Sequence, residues 1–218
     1  MALLCSCGGG ASGEVVTFPD PNLEAGIREA IEKPTGDIYQ SDLEALTALH
    51  GLGGSFYSEK NIQDLSGLEY CSNLTQLSLY DNQISDLSPL SGLTSLTHLL
   101  LHDNQISDLS PLENLTSLKA LELGGNQISD ISPLSGLTNL SQLQLAYNQI
   151  SDISPLVGLT NLWWLYLQNN QISDIEPLVN NPGLSEGDYV DLRDNPLSAD
   201  SLNIYIPQLQ ARGRIVNY

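Results

Sequence analysis

Five asparagines stand at one spacing. Asn82, Asn104, Asn126, Asn148 and Asn170 recur every 22 residues, and each opens the same phrase, Asn-Gln-Ile-Ser-Asp-(Leu/Ile)-(Ser/Glu)-Pro-Leu. Before each runs Leu-x-x-Leu-x-Leu-x-x, as in Leu96-Thr-His-Leu99-Leu-Leu101-His-Asp-Asn104. A unit this short cannot bury an apolar face alone, so successive copies must stack and share one narrow core. Leu77 and Leu79 and their equivalents alternate along a strand and point to the same side, inward. Leu74, Leu90, Leu93 and Ile84, with their equivalents, fill the opposite side. Each asparagine falls where the strand ends, and its amide can satisfy backbone groups that the bend leaves unpaired. Pro89, Pro111, Pro133, Pro155 and Pro177 fix φ on the outer side, where a short 3₁₀ turn fits and a long helix does not. Cys71 is in register with Leu93 and reads as a buried apolar thiol.

Two weaker turns flank the five. Lys60-Asn-Ile62-Gln-Asp64-Leu65 keeps the isoleucine and aspartate columns one period before Asn82, and Tyr189-Val190-Asp-Leu192-Arg-Asp-Asn195 closes the array after an insertion marked by Pro182-Gly183. Seven turns at about 4.8 Å per strand give a rod roughly 30 Å long. Its apolar ends need caps. Asp20 can N-cap a helix with Pro21 at its first position, carrying Leu23, Ile27, Ala30 and Ile31 and ending at Pro34. Ser41-Asp-Leu-Glu44 reads as a capping box opening a second short helix through about Leu49. At the other end, Ser198 or Asp200 can start a helix carrying Leu202, Ile206 and Leu209, which Pro207 kinks or divides and Gly213 stops; residues 214–218 read as a closing edge strand. The expected fold is an α/β solenoid: a leucine-rich-repeat horseshoe with a parallel concave sheet, 3₁₀ turns on the convex side, a helical N-terminal cap and a helix-strand C-terminal cap. The divisions are 1–14, a signal or lipoprotein remnant with a Gly-rich tether; 15–50, the N-terminal cap; 51–197, the repeats; and 198–218, the C-terminal cap.

Phe18-Pro-Asp20, Ser41-Asp-Leu43, Leu46-Thr47, Gly67-Leu-Glu-Tyr70 and Asn73-Leu-Thr75, followed by the 22-residue repeats, make the chain resemble the internalin class of bacterial leucine-rich-repeat proteins from about Val15 to Leu197. The resemblance implies a helical N-terminal cap, a right-handed horseshoe and protein binding on the concave sheet. Internalins generally continue into an immunoglobulin-like domain, whereas here a helix-strand cap and no wall-anchoring signal are expected. The expected analogue is a shorter exported protein on the same scaffold, without a role in host invasion.

Composition narrows the partners. Seven Lys and Arg against 26 Asp and Glu give a net charge of −19. Phosphate backbones need a basic surface, so nucleic acid is excluded, as is docking on anionic lipid head groups; basic partners fit. Leu4-Cys-Ser-Cys7 looks like the end of a bacterial lipoprotein signal, with Cys7 the lipidated residue and residues 8–13 a Gly/Ser-type tether. The charged region and most of the apolar region of such a signal are missing. A truncated signal and a coincidence both remain as readings; the expectation is export to the cell surface, with the membrane touched only through that anchor.

Outward strand positions are not constrained by the core, so bulky residues there invite explanation. One row runs Gln76, His98, Ala120, Gln142, Trp164, Tyr189; the next Ser78, Leu100, Glu122, Gln144, Tyr166, Asp191; the third Tyr80, His102, Gly124, Ala146, Gln168, Arg193. Candidate ligand-binding residues are Tyr80, His98, Leu100, His102, Trp163, Trp164, Tyr166, Gln168, Tyr189 and Arg193, because aromatic and arginine side chains dominate binding hot spots. The bland alternative is a solvated sheet stiffened by cross-strand pairs. His98 and His102 lie about 13 Å apart on a strand, too far for one metal. The aspartate column Asp64, Asp86, Asp108, Asp130, Asp152, Asp174 suits capping of local N–H groups better than a calcium ladder. No catalytic constellation and no cofactor motif is present. The expected function is a non-catalytic protein-binding scaffold; a carbohydrate or cell-wall binder and a structural spacer are the alternatives.

Overall fold

A computed structural model describes residues 13–52 and 61–218. The Cys7 expectation and Lys60 lie outside the described residues.

The repeats stack as one parallel sheet. Strands β3 (Ala48–Leu49), β4 (Gln76–Ser78), β5 (His98–Leu100), β6 (Ala120–Glu122), β7 (Gln142–Gln144), β8 (Trp164–Tyr166), β9 (Tyr189–Asp191) and β10 (Ile215–Asn217) lie side by side in chain order. Register is constant: Leu49, Leu77, Leu99, Leu121, Leu143, Leu165, Val190 and Val216 face one another along the array. The chain returns over the outside through short 3₁₀ turns, Ser88–Leu90, Ser110–Leu112, Ser132–Gly136 and Ser154–Gly158, each with its proline near the start. There the missing proline N–H is one that a turn would leave unpaired anyway. In the fifth of the regular repeats the same position, at Pro177, opens a single α turn, α3 (Glu176–Asn180). The leucines and isoleucines of both sides are sealed in one core that runs from Val16 to Val216, and Cys71 is part of it. Burial pushes the Cys71 thiol up to about 12.

The asparagine column is the second structural element. Asn126 Oδ1 accepts the Ile106 N–H at 2.9 Å, while its Nδ2 donates to the Leu101 and Leu123 carbonyls, both at 3.0 Å. One amide therefore joins the preceding turn to its own. Asn82, Asn104, Asn148, Asn170 and Asn195 repeat the pattern. In the aspartate column, Asp86 Oδ1 accepts both the N–H and the hydroxyl of Ser88, at 2.8 and 2.6 Å, and the column's other members accept the N–H two residues on in the same way. These bonds cap the 3₁₀ turns locally, as the sequence suggested. The Ser88 hydroxyl, and after it the Ser88 N–H, hold the Asp86 carboxyl below its ordinary range.

The caps depart from expectation in instructive ways. Helix α1 (Pro21–Ala30) is capped by Asp20, whose Oδ1 accepts the Asn22 and Leu23 N–H groups at 2.9 and 3.1 Å. Its Oδ2 also accepts the Gln63 N–H at 2.8 Å, so the same carboxylate ties the helix to the first turn of the array. Leu23 and Ile27 are buried, but Ala30 is exposed and Gly26 takes the third inward place. Strands β1 (Val15–Val16) and β2 (Ile38–Tyr39), unforeseen in the sequence, pair antiparallel beside it. The second helix does not reach Leu49. It is a single turn, α2 (Gln40–Leu43), capped where Asp42 accepts the Tyr39 N–H at 2.8 Å. Residues 48–49 are instead the first strand of the sheet, because Leu46 and Leu49 supply the inward leucines of a repeat and the Thr47 carbonyl accepts the Thr75 N–H at 2.8 Å. At the C-terminus, Ser198 Oγ accepts the Ser201 N–H at 3.1 Å and the helix runs on to α4 (Ile206–Ala211). Pro207 has no N–H to give, and the helix absorbs the loss as a π turn over Ser201–Tyr205, in which the Ile206 N–H reaches the Ser201 carbonyl. That extra residue rotates Leu202 outward, leaving it 42% exposed, while Ile206 and Leu209 stay buried as expected.

Candidate functional site

Strand pairing aligns the first two rows as read from the sequence, and backbone hydrogen bonds just past the strands align the third. Trp164 sits between Gln142 and Tyr189, and Tyr166 between Gln144 and Asp191. On β8 and β9 the rings touch in series. Trp163 and Trp164 stack with centroids 5.5 Å apart, Trp164 and Tyr166 follow at 5.5 Å, and Tyr166 and Tyr189 at 5.4 Å. Trp163 is 45% exposed and Trp164 36%, a large apolar area left in water on a sheet whose core is complete without it. Tyr189 is anchored: its hydroxyl accepts from Asn217 Nδ2 at 2.8 Å and donates to Asp191 Oδ2 at 3.2 Å.

Arg193 is not a free cation. Its Nε lies 2.9 Å from Asp191 Oδ1 and its Nη2 2.6 Å from Oδ2, a two-pronged pair with a carboxylate that is itself fully buried. Burial pushes the Asp191 carboxyl up, but the bonds from the Arg193 side chain and backbone outweigh it and hold the group below its usual range. Arg193 follows Asp191 by two residues just past the end of β9, so alternation continued beyond the strand could have revealed the pair.

Tyr80, His98, Leu100 and His102 form a separate group at the other end. Tyr80 and His102 stack nearly parallel, 6° between planes and 4.7 Å between centroids, and His98 Nδ1 lies 2.9 Å from the Thr97 hydroxyl. His102 Nδ1 approaches Glu122 Oε2 at 3.3 Å without hydrogen-bond geometry. Between the groups the sheet carries small residues, Ala120, Gly124 and Ala146. A recess of about 220 Å³ opens there beside the aromatic run, lined by Leu121, Glu122, Gln142, Leu143, Gln144, Trp164 and Tyr166. Gln168 stands in the third row next to Arg193. Glu122, Gln142 and Gln144 were absent from the candidate set, since single polar residues on a strand carry no signal of their own.

Tyr147 was also missed. It lies one residue past the third row, 60% exposed, with φ of 57°. Its counterparts in the other turns are Asp81, Asp103, Gly125, Asn169 and Asp194, all at positive φ. Among the described residues no group of His, Cys, Asp and Glu is arranged to hold a metal.

The comparisons with known proteins agree with this architecture. The model for Leucine Rich repeats (2 copies) matches residues 94–136, 116–158 and 138–180, and a Leucine Rich repeat model matches 70–87. No curated protein matches the chain. Among solved structures, an internalin (inlF) from Listeria monocytogenes is 35% identical with a TM-score of 0.80, over 92% of this chain and 56% of its own. The chain thus spans little more than half the length of that relative. An internalin C2 (inlC2) from the same organism is 34% identical with a TM-score of 0.65, over 95% of this chain and 99% of its own. The plant peptide hormone receptor RGFR1, solved in complex with RGF2, is 27% identical with a TM-score of 0.55, over 72% of this chain and 26% of its own. At the identity and mutual coverage shared with internalin C2, on a scaffold of the same stacked turns, this chain belongs to the internalin family of bacterial leucine-rich-repeat proteins.

Proposed function

We propose that this chain is a non-catalytic scaffold that binds a protein partner on its concave sheet, at the outside of the cell. The observation that carries the reading is the exposed, contiguous run Trp163–Trp164–Tyr166–Tyr189. These rings bury large area at little rotamer cost when a partner covers them, which is how hot spots are built. The family supports an interaction scaffold, and the neighbouring receptor–peptide complex shows a relative of the fold with a peptide partner. Location outside the cell rests on the internalin relatives and on the Leu4-Cys-Ser-Cys7 sequence, from which we propose export and acylation of Cys7.

The test is co-precipitation from surface extracts with wild type, Trp164→Ala and Gln76→Ala. Loss of a specific partner with Trp164→Ala alone supports the reading; equal recovery in all three overturns it. Mass spectrometry of the mature N-terminus, after expression with a complete signal, decides the anchor: a diacylglyceryl mass on Cys7 supports it, and an unprocessed Met1 refutes it.

A further inference from the structure

We infer that the recess beside Trp164 is a receptor for a cationic side chain, lysine or arginine, presented by an extended segment of the partner. The inference rests on the protein-binding reading and names what that surface selects.

Two features converge on a cation. The recess is walled by the Trp164 and Tyr166 rings, whose negative faces attract an ammonium or guanidinium. It also holds the Glu122 carboxylate, whose side chain is 44% exposed and therefore reachable. A cation meets the ring faces and the carboxylate together, whereas an anion meets like charge.

The surroundings leave the position open to an incoming charge. His102 Nδ1 approaches Glu122 Oε2 at 3.3 Å without hydrogen-bond geometry. Arg193 is committed to Asp191. Lys119 stands exposed three positions before Glu122, ahead of β6 rather than on it. Gly124 lets the Gln144 amide lie flat, since a Cβ there would come within 2.2 Å of its oxygen. The net charge of −19 draws basic segments toward the whole surface and raises their rate of encounter. A glycan is disfavoured by the ring geometry. Trp164 and Tyr166 are tilted 45° to each other and Tyr166 and Tyr189 57°, which makes a cleft rather than the flat platform on which a pyranose chain stacks.

Both tryptophans of the chain belong to this run, so intrinsic fluorescence reads the site directly. Blocked hexa-arginine and hexa-lysine peptides, with hexa-glutamate and chitohexaose beside them, are titrated at physiological salt against wild type, Glu122→Gln, Trp164→Ala and Glu113→Gln. The last removes an exposed acid on the convex side. Saturable change with at least one cationic peptide is expected, weakened about tenfold by Glu122→Gln and less than about twofold by Glu113→Gln, as befits a close charge pair rather than a distant one. Three results overturn the inference: no saturable change with either cationic peptide, equal weakening by both glutamate variants, or a response to chitohexaose in their place. If Trp164→Ala loses the natural partner while Glu122→Gln retains it, the cation receptor fails and the protein-binding surface stands. If both variants keep that partner, both readings fail. Melting curves of each variant confirm that the array is intact; Glu122→Gln is isosteric on a solvated face and leaves the core untouched.

Discussion

The two halves of the concave sheet share a backbone and differ in chemistry. From β4 to β6 and from β7 to β9 the inward aliphatic column, the asparagine bonds and the strand register are kept. Yet the first half carries Gln76, Ser78, Ala120 and Gly124, of which only Gln76 is exposed, around one Tyr80–His102 stack, while the second carries a four-ring run and the pairing of an exposed Arg193 with a buried Asp191. Since the core is equally complete in both, folding does not demand the rings of the second half. What the difference teaches is a division of labour within each repeat: inward columns build the rod, and outward rows are free to carry recognition.

The comparison breaks first at Trp164. Trp164→Ala is expected to cost about 2–4 kcal/mol of partner binding, as hot-spot truncations do, and to leave the melting temperature nearly unchanged. Gln76→Ala, in the same row of the other half, is expected to change neither. Calorimetric titration and a thermal melt on the three proteins decide it, and an unfolded Trp164→Ala would show that the ring supports the rod after all.

The common scaffold is tested at the asparagine column. Asn126→Ala strips one N–H acceptor and two carbonyl donors from buried backbone, a loss of about 1–3 kcal/mol of stability. Gln127→Ala, exposed and one residue on, is expected to be near neutral in urea denaturation. Asn148→Ala, in the half that bears the rings, should match Asn126→Ala; a clear mismatch would mean that the two halves differ in their scaffold as well as in their surface.

The ion pair supplies a smaller, pH-dependent difference. Asp191 is held below the ordinary carboxylate range, so its contribution is full above the unfolded value of about 3.9 and is lost as pH falls through the lower folded one. Wild type should therefore lose more stability between pH 5 and acid than Asp191→Asn does, read as the change in melting temperature of each. Parallel acid curves for the two proteins would remove the pair from the ledger of the C-terminal half.

How much of this was legible follows the period. Leu77, Ile84, Asn82 and Asp86 stand in columns repeated so often that each position is checked by its copies, and the outward rows follow from strand alternation. Reading failed where the period breaks. Leu49 lies 28 residues before its partner Leu77 rather than 22, so the first strand was mistaken for helix. The second bond of Asp20, to Gln63, crosses 43 residues and has no local signature. The π turn at Pro207 is a response to a missing N–H that a helical pattern alone does not specify. In the site, single aromatic residues stood out by size, whereas the recess depends on Glu122 and Gln144 lying on strands adjacent to the rings.

Tyr147 sharpens the comparison at the finest level. In every other turn from Asp81 to Asp194 the residue just before the column asparagine is Asp, Asn or Gly, the types that tolerate the left-handed bend. Tyr147 sits in that bend with φ of 57°, and its ring is 60% exposed, so little burial compensates the backbone cost. Replacing it with asparagine, as at the next turn's Asn169, should raise stability by about 0.5–1 kcal/mol, a fraction of the left-handed penalty for a side chain without a local hydrogen bond. If the ring extends the binding surface of β8 and β9, the same variant will hold its partner more weakly while melting higher. A rise in stability with unchanged binding would confine the partner to the sheet itself, and a fall in stability would mean that the ring packs against the rod and belongs to the scaffold rather than to recognition.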